Sequence, residues 1–173
     1  AIMSTAQDHQ LDFTLLRAVD EVNERQKRLM FGRVLEHFGG DVTGKHIAIW
    51  GLAFKPRTDD MREAPSVVLI ERLLASGAKI STHDPEAMHE AKKIFGSRVG
   101  YHKVNYDALQ DADALVLVTE WNEFRRPDFE RMKKLMKSPV IFDGRNVYEP
   151  QHMEALGFTY YSMGRSTVRG KGA

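Results

Sequence analysis

Between Gly51 and Glu63 the chain reads GLAFKPRTDDMRE, setting three cations, Lys55, Arg57 and Arg62, among three carboxylates, Asp59, Asp60 and Glu63. Cationic side chains at the end of an apolar run suit the capture of an anion such as phosphate, because they supply charge-assisted donors. Ala64 and Pro65 follow, and proline suits the first helical position. Arg62 and Glu63 are therefore expected just ahead of the positive end of a helix, where backbone N–H groups add to the same task. The loop is a poor dinucleotide turn. Counted from Gly51, the second and third glycine positions hold Ala53 and Pro56, and that turn needs glycine where the backbone approaches a pyrophosphate. The alternative is a solvated loop whose charges neutralise one another; the loop alone leaves both open.

Other residues invite the same question. Arg145, in FDGRNVY, follows an apolar run and a glycine, which suits a phosphate or carboxylate ligand unless it pairs with Asp143 or Glu149 for structure. Asp84 ends another apolar run at the place where a dinucleotide fold keeps its ribose acid. Without the glycine turn, a helix-cap or turn role is the better expectation. The seven histidines, His9, His37, His46, His83, His89, His102 and His152, form no HExxH pattern, and no metal site is expected. Trp50 and Trp121 are expected in the core or in the wall of a crevice.

The elements that would position these residues follow from periodicity. Residues 11 to 38 carry apolar positions at Leu11, Leu15, Val19, Val22, Leu29, Val34 and Phe38, a helical spacing with Asp12 as a cap and Gly39–Gly40 as a stop. The first part of this helix has no sequence neighbour to cover its apolar side, which points to packing against a missing part or another subunit. Beyond Lys45, strands are expected at 46 to 52, 79 to 84, 114 to 119, 140 to 144 and 158 to 164. Helices are expected at 64 to 77, 86 to 96, 128 to 138 and 149 to 157. The unalternated apolar strands are of the kind buried on both faces. The fold class is thus α/β, a Rossmann-like doubly wound parallel sheet of about five strands preceded by a long α-helix. Ligands of such sheets bind outside the carboxyl ends of the strands, where strand order reverses. That rule selects the loop at 51 to 63, HDPEA, TEWNEF and DGRNVY.

Composition excludes several classes of function. With 173 residues, 28% charged, 42% hydrophobic and a formal net charge of +1, the chain can bury a sizeable core and carries no large single-sign field. No nucleic-acid partner is expected. The sequence has no apolar run long enough for a membrane span and nothing resembling a signal peptide, so a cytoplasmic protein without a membrane partner is expected. The absence of cysteine excludes disulfides, thiolate metal sites and thiol catalysis by these residues.

GLAFKPRTDDMREAPS resembles the signature of the C-terminal domain of the UDP-glucose/GDP-mannose dehydrogenase family, in wording nearest to the UDP-glucose branch. LLRAVDEVNERQKRLM is similar to that family's central helix, GKHIAIWGLAFKP to its first strand and loop, and VIFDGRNVYEP to a later strand and turn. The resemblance covers essentially the whole chain. It implies that residues 1 to 40 are part of a central dimerisation region and that 41 to 173 form a UDP-binding domain. It also implies an enzyme that oxidises the C6 hydroxyl of UDP-glucose to the carboxylate of UDP-glucuronate, with two NAD and a cysteine-bound intermediate. A GDP-mannose or UDP-N-acetylmannosamine relative is the alternative, as is a non-catalytic dimerisation module. On this resemblance Phe54, Lys55 and Arg145 contact UDP-glucose or UDP, Arg62 reaches NAD held by another domain, and the central helix makes a homodimer or higher assembly. No catalytic residue is expected here, because the family's cysteine and NAD turn have no counterpart in these residues. The chain is therefore expected to be a fragment, inactive alone.

Overall fold

The computed structural model describes residues 14 to 170. Leu11, Asp12, His9 and the last three residues of the basic tail lie outside the described residues. Helix α1 spans Thr14–His37 and stops at the expected glycines, where the Gly40 N–H bonds the Leu35 carbonyl at 2.8 Å. It is followed by β1 (His46–Trp50), α2 (Pro65–Ala75), β2 (Lys79–His83), α3 (Met88–Phe95) and β3 (Gly100–Tyr101). The second half contains β4 (Ala114–Leu117), α4 (Phe129–Leu135), β5 (Val140–Asp143), α5 (Pro150–Ala155) and β6 (Thr159–Ser162).

All six strands pair in parallel, in the order β3-β2-β1-β4-β5-β6. This is the doubly wound order, expected with about five strands and found with six. The additional strand, β3, is two residues long at the sheet edge, too short for any period to register in the sequence. The strands β4 and β5 are buried at every position, which is why they read as unbroken apolar runs.

Proline or aspartate starts three of the helices. Pro65 opens α2 after an extended Ala64, Pro150 opens α5, and the Asp128 carboxylate accepts the Arg131 N–H at 2.9 Å to cap α4. Helix α1 packs on α2 and sinks Met30 and Val34 into the same core as the sheet. Phe31 and Leu35 pack partly buried against that core, while Leu15, Val19, Val22 and Leu29 stay exposed, Leu15 at 77%. Among the described residues, no helix is long and apolar enough to cross a membrane.

The chain leaves β1 outward through β2 and β3, then returns to lay β4 against the other side of β1. Strand order therefore reverses between β1 and β4. Gly51, just past β1, takes φ +89° there and runs so close to the loop after β4 that an added Cβ would lie 2.5 Å from the Thr119 nitrogen. Thr119 in turn donates its hydroxyl to the Ala53 carbonyl at 2.6 Å, fastening the two loops that leave the switch point.

Candidate functional site

The loop after β1 is held from inside by Asp84, which is 2% exposed. Its Oδ2 accepts the Leu52 and Ala53 N–H groups at 2.7 and 3.1 Å and the Trp121 indole N–H at 3.1 Å. Its Oδ1 accepts the Glu86 and Ala87 N–H groups at 2.9 and 2.8 Å, fixing the turn into α3. Asp84 therefore serves the turn and not a ribose. The two loop amides that a dinucleotide turn would offer to a pyrophosphate are already taken by an internal carboxylate. Trp121 and Trp50 are both buried, and the Trp50 indole donates to the Asn105 carbonyl at 2.8 Å.

Asp143, at the end of β5, performs the matching task on the other side of the switch point. It accepts the N–H groups of Arg145, Val147 and Tyr148 at 2.8, 2.7 and 3.1 Å and the Tyr160 hydroxyl at 2.7 Å. The Tyr160 hydroxyl resists ionisation, first through burial and then through the Asp143 charge. The Arg145 side chain is left to reach across the crevice. Its Nε donates to the Val118 carbonyl at 2.8 Å and lies 3.0 Å from Glu120 Oε2, while Nη2 reaches the Phe54 carbonyl at 3.3 Å. The structural pairings weighed from sequence do not form: Asp143 takes only the backbone N–H, and Glu149 stands 3.9 Å from Arg165 instead.

A cleft of about 610 Å³ opens here, within the range of small-molecule sites. Phe54, 40% exposed, and Arg145 form one wall with Val118, while Asn23, Lys27 and Met30 of α1 form the other. Lys27 is tied to Glu24 at 2.7 Å and to Glu63 at 2.8 Å, so it clips α1 to the loop after β1. Those two carboxylates, Glu24 foremost, strengthen its hold on the proton. The part of α1 in this wall is not among the ligand-contacting residues that the sequence implies. Its signal is faint: Asn23, Gln26 and Lys27 repeat at helical spacing beside the buried Met30.

The four residues expected to contact ligands do not all converge. Phe54 and Arg145 meet in the cleft, and Lys55 lies over the Phe54 ring with its ammonium 5.1 Å from the centroid. Arg62 lies outside that cleft, in a shallow depression shared with Thr58, Asp59 and Glu90. It holds Asp60 through Nε and Nη2 at 3.0 and 2.9 Å, and this pairing lowers the Asp60 carboxyl to about 2. The reading of mutually neutralising loop charges thus holds for Arg62 and Asp60. Left-handed backbone at Arg57, Glu63 and Asn146 accompanies the two loops flanking the crevice. Among the described residues, no group of three or more histidine and carboxylate side chains could hold a metal ion.

Comparison with known proteins adds to this geometry. A family model described as UDP-glucose/GDP-mannose dehydrogenase family, UDP binding domain, matches residues 48–150. The UDP-glucose 6-dehydrogenase of Pseudomonas aeruginosa is 45% identical over 170 residues, which cover 95% of this chain and 38% of that protein. The solved UDP-glucose dehydrogenase of Pyrobaculum islandicum superposes with a TM-score of 0.74 at 31% identity, over 85% of this chain and 32% of the other. A UDP-D-ManNAc dehydrogenase from Pyrococcus horikoshii gives the same TM-score at 29% identity, over 92% and 36%. The chain spans about 38% of the length of the curated relative it matches.

Proposed function

Because the chain belongs to the UDP-glucose/GDP-mannose dehydrogenase family, as its UDP binding domain, we propose that it holds the nucleotide sugar for an enzyme that oxidises UDP-glucose to UDP-glucuronate. The observation that carries this reading is the meeting of Phe54 and Arg145 at the switch point, 91 residues apart in sequence and hydrogen-bonded to each other in one wall of the cleft. A nucleotide diphosphate sugar needs a flat wall and fixed cations, and neither has to titrate. Phe54 forms the wall, and Lys55 and Arg145 face the diphosphate. Glu120 and the Val118 carbonyl keep the Arg145 guanidinium in a preset orientation, which lowers the ordering cost of binding.

A bound NAD would supply the hydride acceptor for oxidation of the sugar. The turn after β1 does not fit that cofactor, since Asp84 occupies its amides. Arg62 does fit a role at the rim of a neighbouring NAD domain: its side chain is 89% exposed, and Nη1 is not used in the pairing with Asp60. The 173 residues contain no cysteine, so a thiol-dependent oxidation needs residues supplied by the rest of a longer protein. The role of these residues is to bind and orient.

Calorimetric titration tests the substrate role. UDP is expected to bind in preference to GDP, and Arg145→Gln to weaken UDP by roughly ten- to a hundredfold, the worth of one or two charge-assisted bonds. Equal affinity for UDP in the variant would sink the assignment of Arg145. Similarity to the UDP-D-ManNAc dehydrogenase supports a second reading in which the sugar is N-acetylmannosamine, and the sugar oxidised by the longer protein separates the two.

Residues 1 to 40 are assigned to a central region that pairs subunits. The exposed stripe of Leu15, Val19, Val22 and Leu29 on α1 supports this reading, since it is apolar and uncovered among the described residues. The chain is expected to sediment as a dimer at high concentration, and Val19→Glu to shift it to monomer. A wild-type monomer throughout would remove α1 as an autonomous pairing element.

A further inference from the structure

We propose that the face between α1 and β6 is a second binding site, distinct from the nucleotide-sugar cleft, that takes a phosphate-class oxyanion on Arg33, His37 and Arg169. Two periodicities build it. Arg33, Glu36 and His37 recur at i, i+3 and i+4 and so share one face of α1. Val168 pairs antiparallel with Tyr160 through N–H···O bonds of 2.9 and 3.1 Å in both directions. Side chains alternate along both segments, so Thr159, Tyr161, Thr167 and Arg169 fall together on the opposite face from that pair. The helix face and the strand face enclose a pocket of about 560 Å³.

The segment bearing Arg169 is fixed in place. The Gly170 N–H bonds the Phe158 carbonyl at 3.0 Å, and its Cα passes so close to Gly157 that an added Cβ would lie 2.1 Å from the Gly157 carbonyl carbon. Arg33 spends one guanidinium nitrogen, Nη1, on the Ser162 carbonyl, leaving the rest of the fork to the pocket. The Arg169 guanidinium has no hydrogen bond or ion pair among the described residues. His37 Nδ1 lies 2.9 Å from the Tyr161 hydroxyl, and its ring packs edge-on against Phe142 and Tyr161.

The charge of the pocket is not balanced from within. Glu36 is its one lining carboxylate, against two guanidinium groups. His37 registers the surplus, since burial and then the charges of Arg169 and Lys45 lower its proton affinity with no carboxylate acting against them. Two guanidiniums, an imidazole and three hydroxyls in one pocket match a tetrahedral oxyanion, which accepts several charge-assisted bonds at once. Free phosphate and the phosphate group of a monoester offer the same chemistry.

The test follows the His37 ring by NMR while potassium phosphate or glycerol phosphate replaces potassium chloride at constant ionic strength, with the remote His152 ring as the control. A saturable shift of His37 but not of His152 is expected with at least one of the two ligands, and the ligand that saturates names the source. Arg169→Gln is expected to weaken that response about tenfold or more, as loss of a charge-assisted contact does. Arg145→Gln is expected to leave it unchanged. Arg33→Gln disturbs the Ser162 contact, so Arg169→Gln, which removes no internal bond, decides the matter once its melting curve is shown to match wild type. A linear, unsaturated shift with both ligands, wild-type affinity in Arg169→Gln, or loss of the response in Arg145→Gln would each overturn the proposal.

Discussion

Asp84→Ala is expected to destabilise the chain by about 3–5 kcal/mol, among the largest effects available to a single polar substitution. The reason is arithmetic of donors. One carboxylate accepts from Leu52, Ala53, Glu86, Ala87 and the Trp121 indole, and four of those five bonds are buried or nearly so. Alanine leaves these N–H groups without a partner and without room for full hydration. Asp84→Asn keeps the shape, but its NH2 group must face N–H groups on one side, so an intermediate loss is expected. Urea denaturation followed by tryptophan emission reads both effects, and Trp121 reports the local loss directly. An Asp84→Ala midpoint equal to that of wild type would show that the carboxylate is dispensable. Since domains of this kind have only ~5–15 kcal/mol to lose, the variant is also expected to release the loop carrying Phe54 and Lys55.

Gly51→Ala is the second large effect, at about 3 kcal/mol or more, because two penalties coincide. The backbone has φ +89°, which L side chains rarely adopt, and the new methyl would meet the Thr119 nitrogen at 2.5 Å and Cβ at 2.6 Å. Neither neighbour is the free end of a flexible chain. Gly157→Ala separates the two penalties. Gly157 has nearly the same φ, +87°, yet nothing lies within 4 Å of its added Cβ, so only the backbone strain of about 1–2 kcal/mol is expected. Equal losses at the two positions would show that the close approach of the β1 and β4 loops contributes nothing. If the expectation holds, any side chain at Gly51 pushes apart the strands whose ends carry Phe54 and Val118, and UDP binding weakens along with stability.

Much of the architecture was legible because burial on both faces leaves a one-dimensional trace. Ala114–Leu117 and Val140–Asp143 read as strands since no solvent-facing position interrupts them. Pro65 and Pro150 announced helix starts through a backbone angle that proline sets locally. The two-residue β3 left no such trace, because its strand character resides in the bonds of β2 and not in its own sequence. The loop at 51 to 63 was legible as something other than a dinucleotide turn, since missing glycines are visible in a string of letters. That Asp84 takes over the turn's amides was open as one of two roles, and 31 or 32 residues of separation hid which partners it would have.

What the sequence determined by itself, then, was the fold class, the loops at the strand ends and the family whose wording those loops share. These depend on local backbone preference and on which positions are apolar. The tertiary structure alone decided which charges act together. Arg62 turns aside to Asp60 while Arg145 crosses to Phe54, and Lys27 on a helix outside the doubly wound sheet closes the cleft through Glu63. The same structure brings Arg33 and Arg169, 136 positions apart, to one pocket, a meeting no spacing rule contains. The physical reason is that a side chain's direction is set by the backbone beneath it and by whatever packs against it. At Arg57, Glu63 and Asn146 that backbone is left-handed, a conformation that nothing in those residue types foretells for arginine or glutamate.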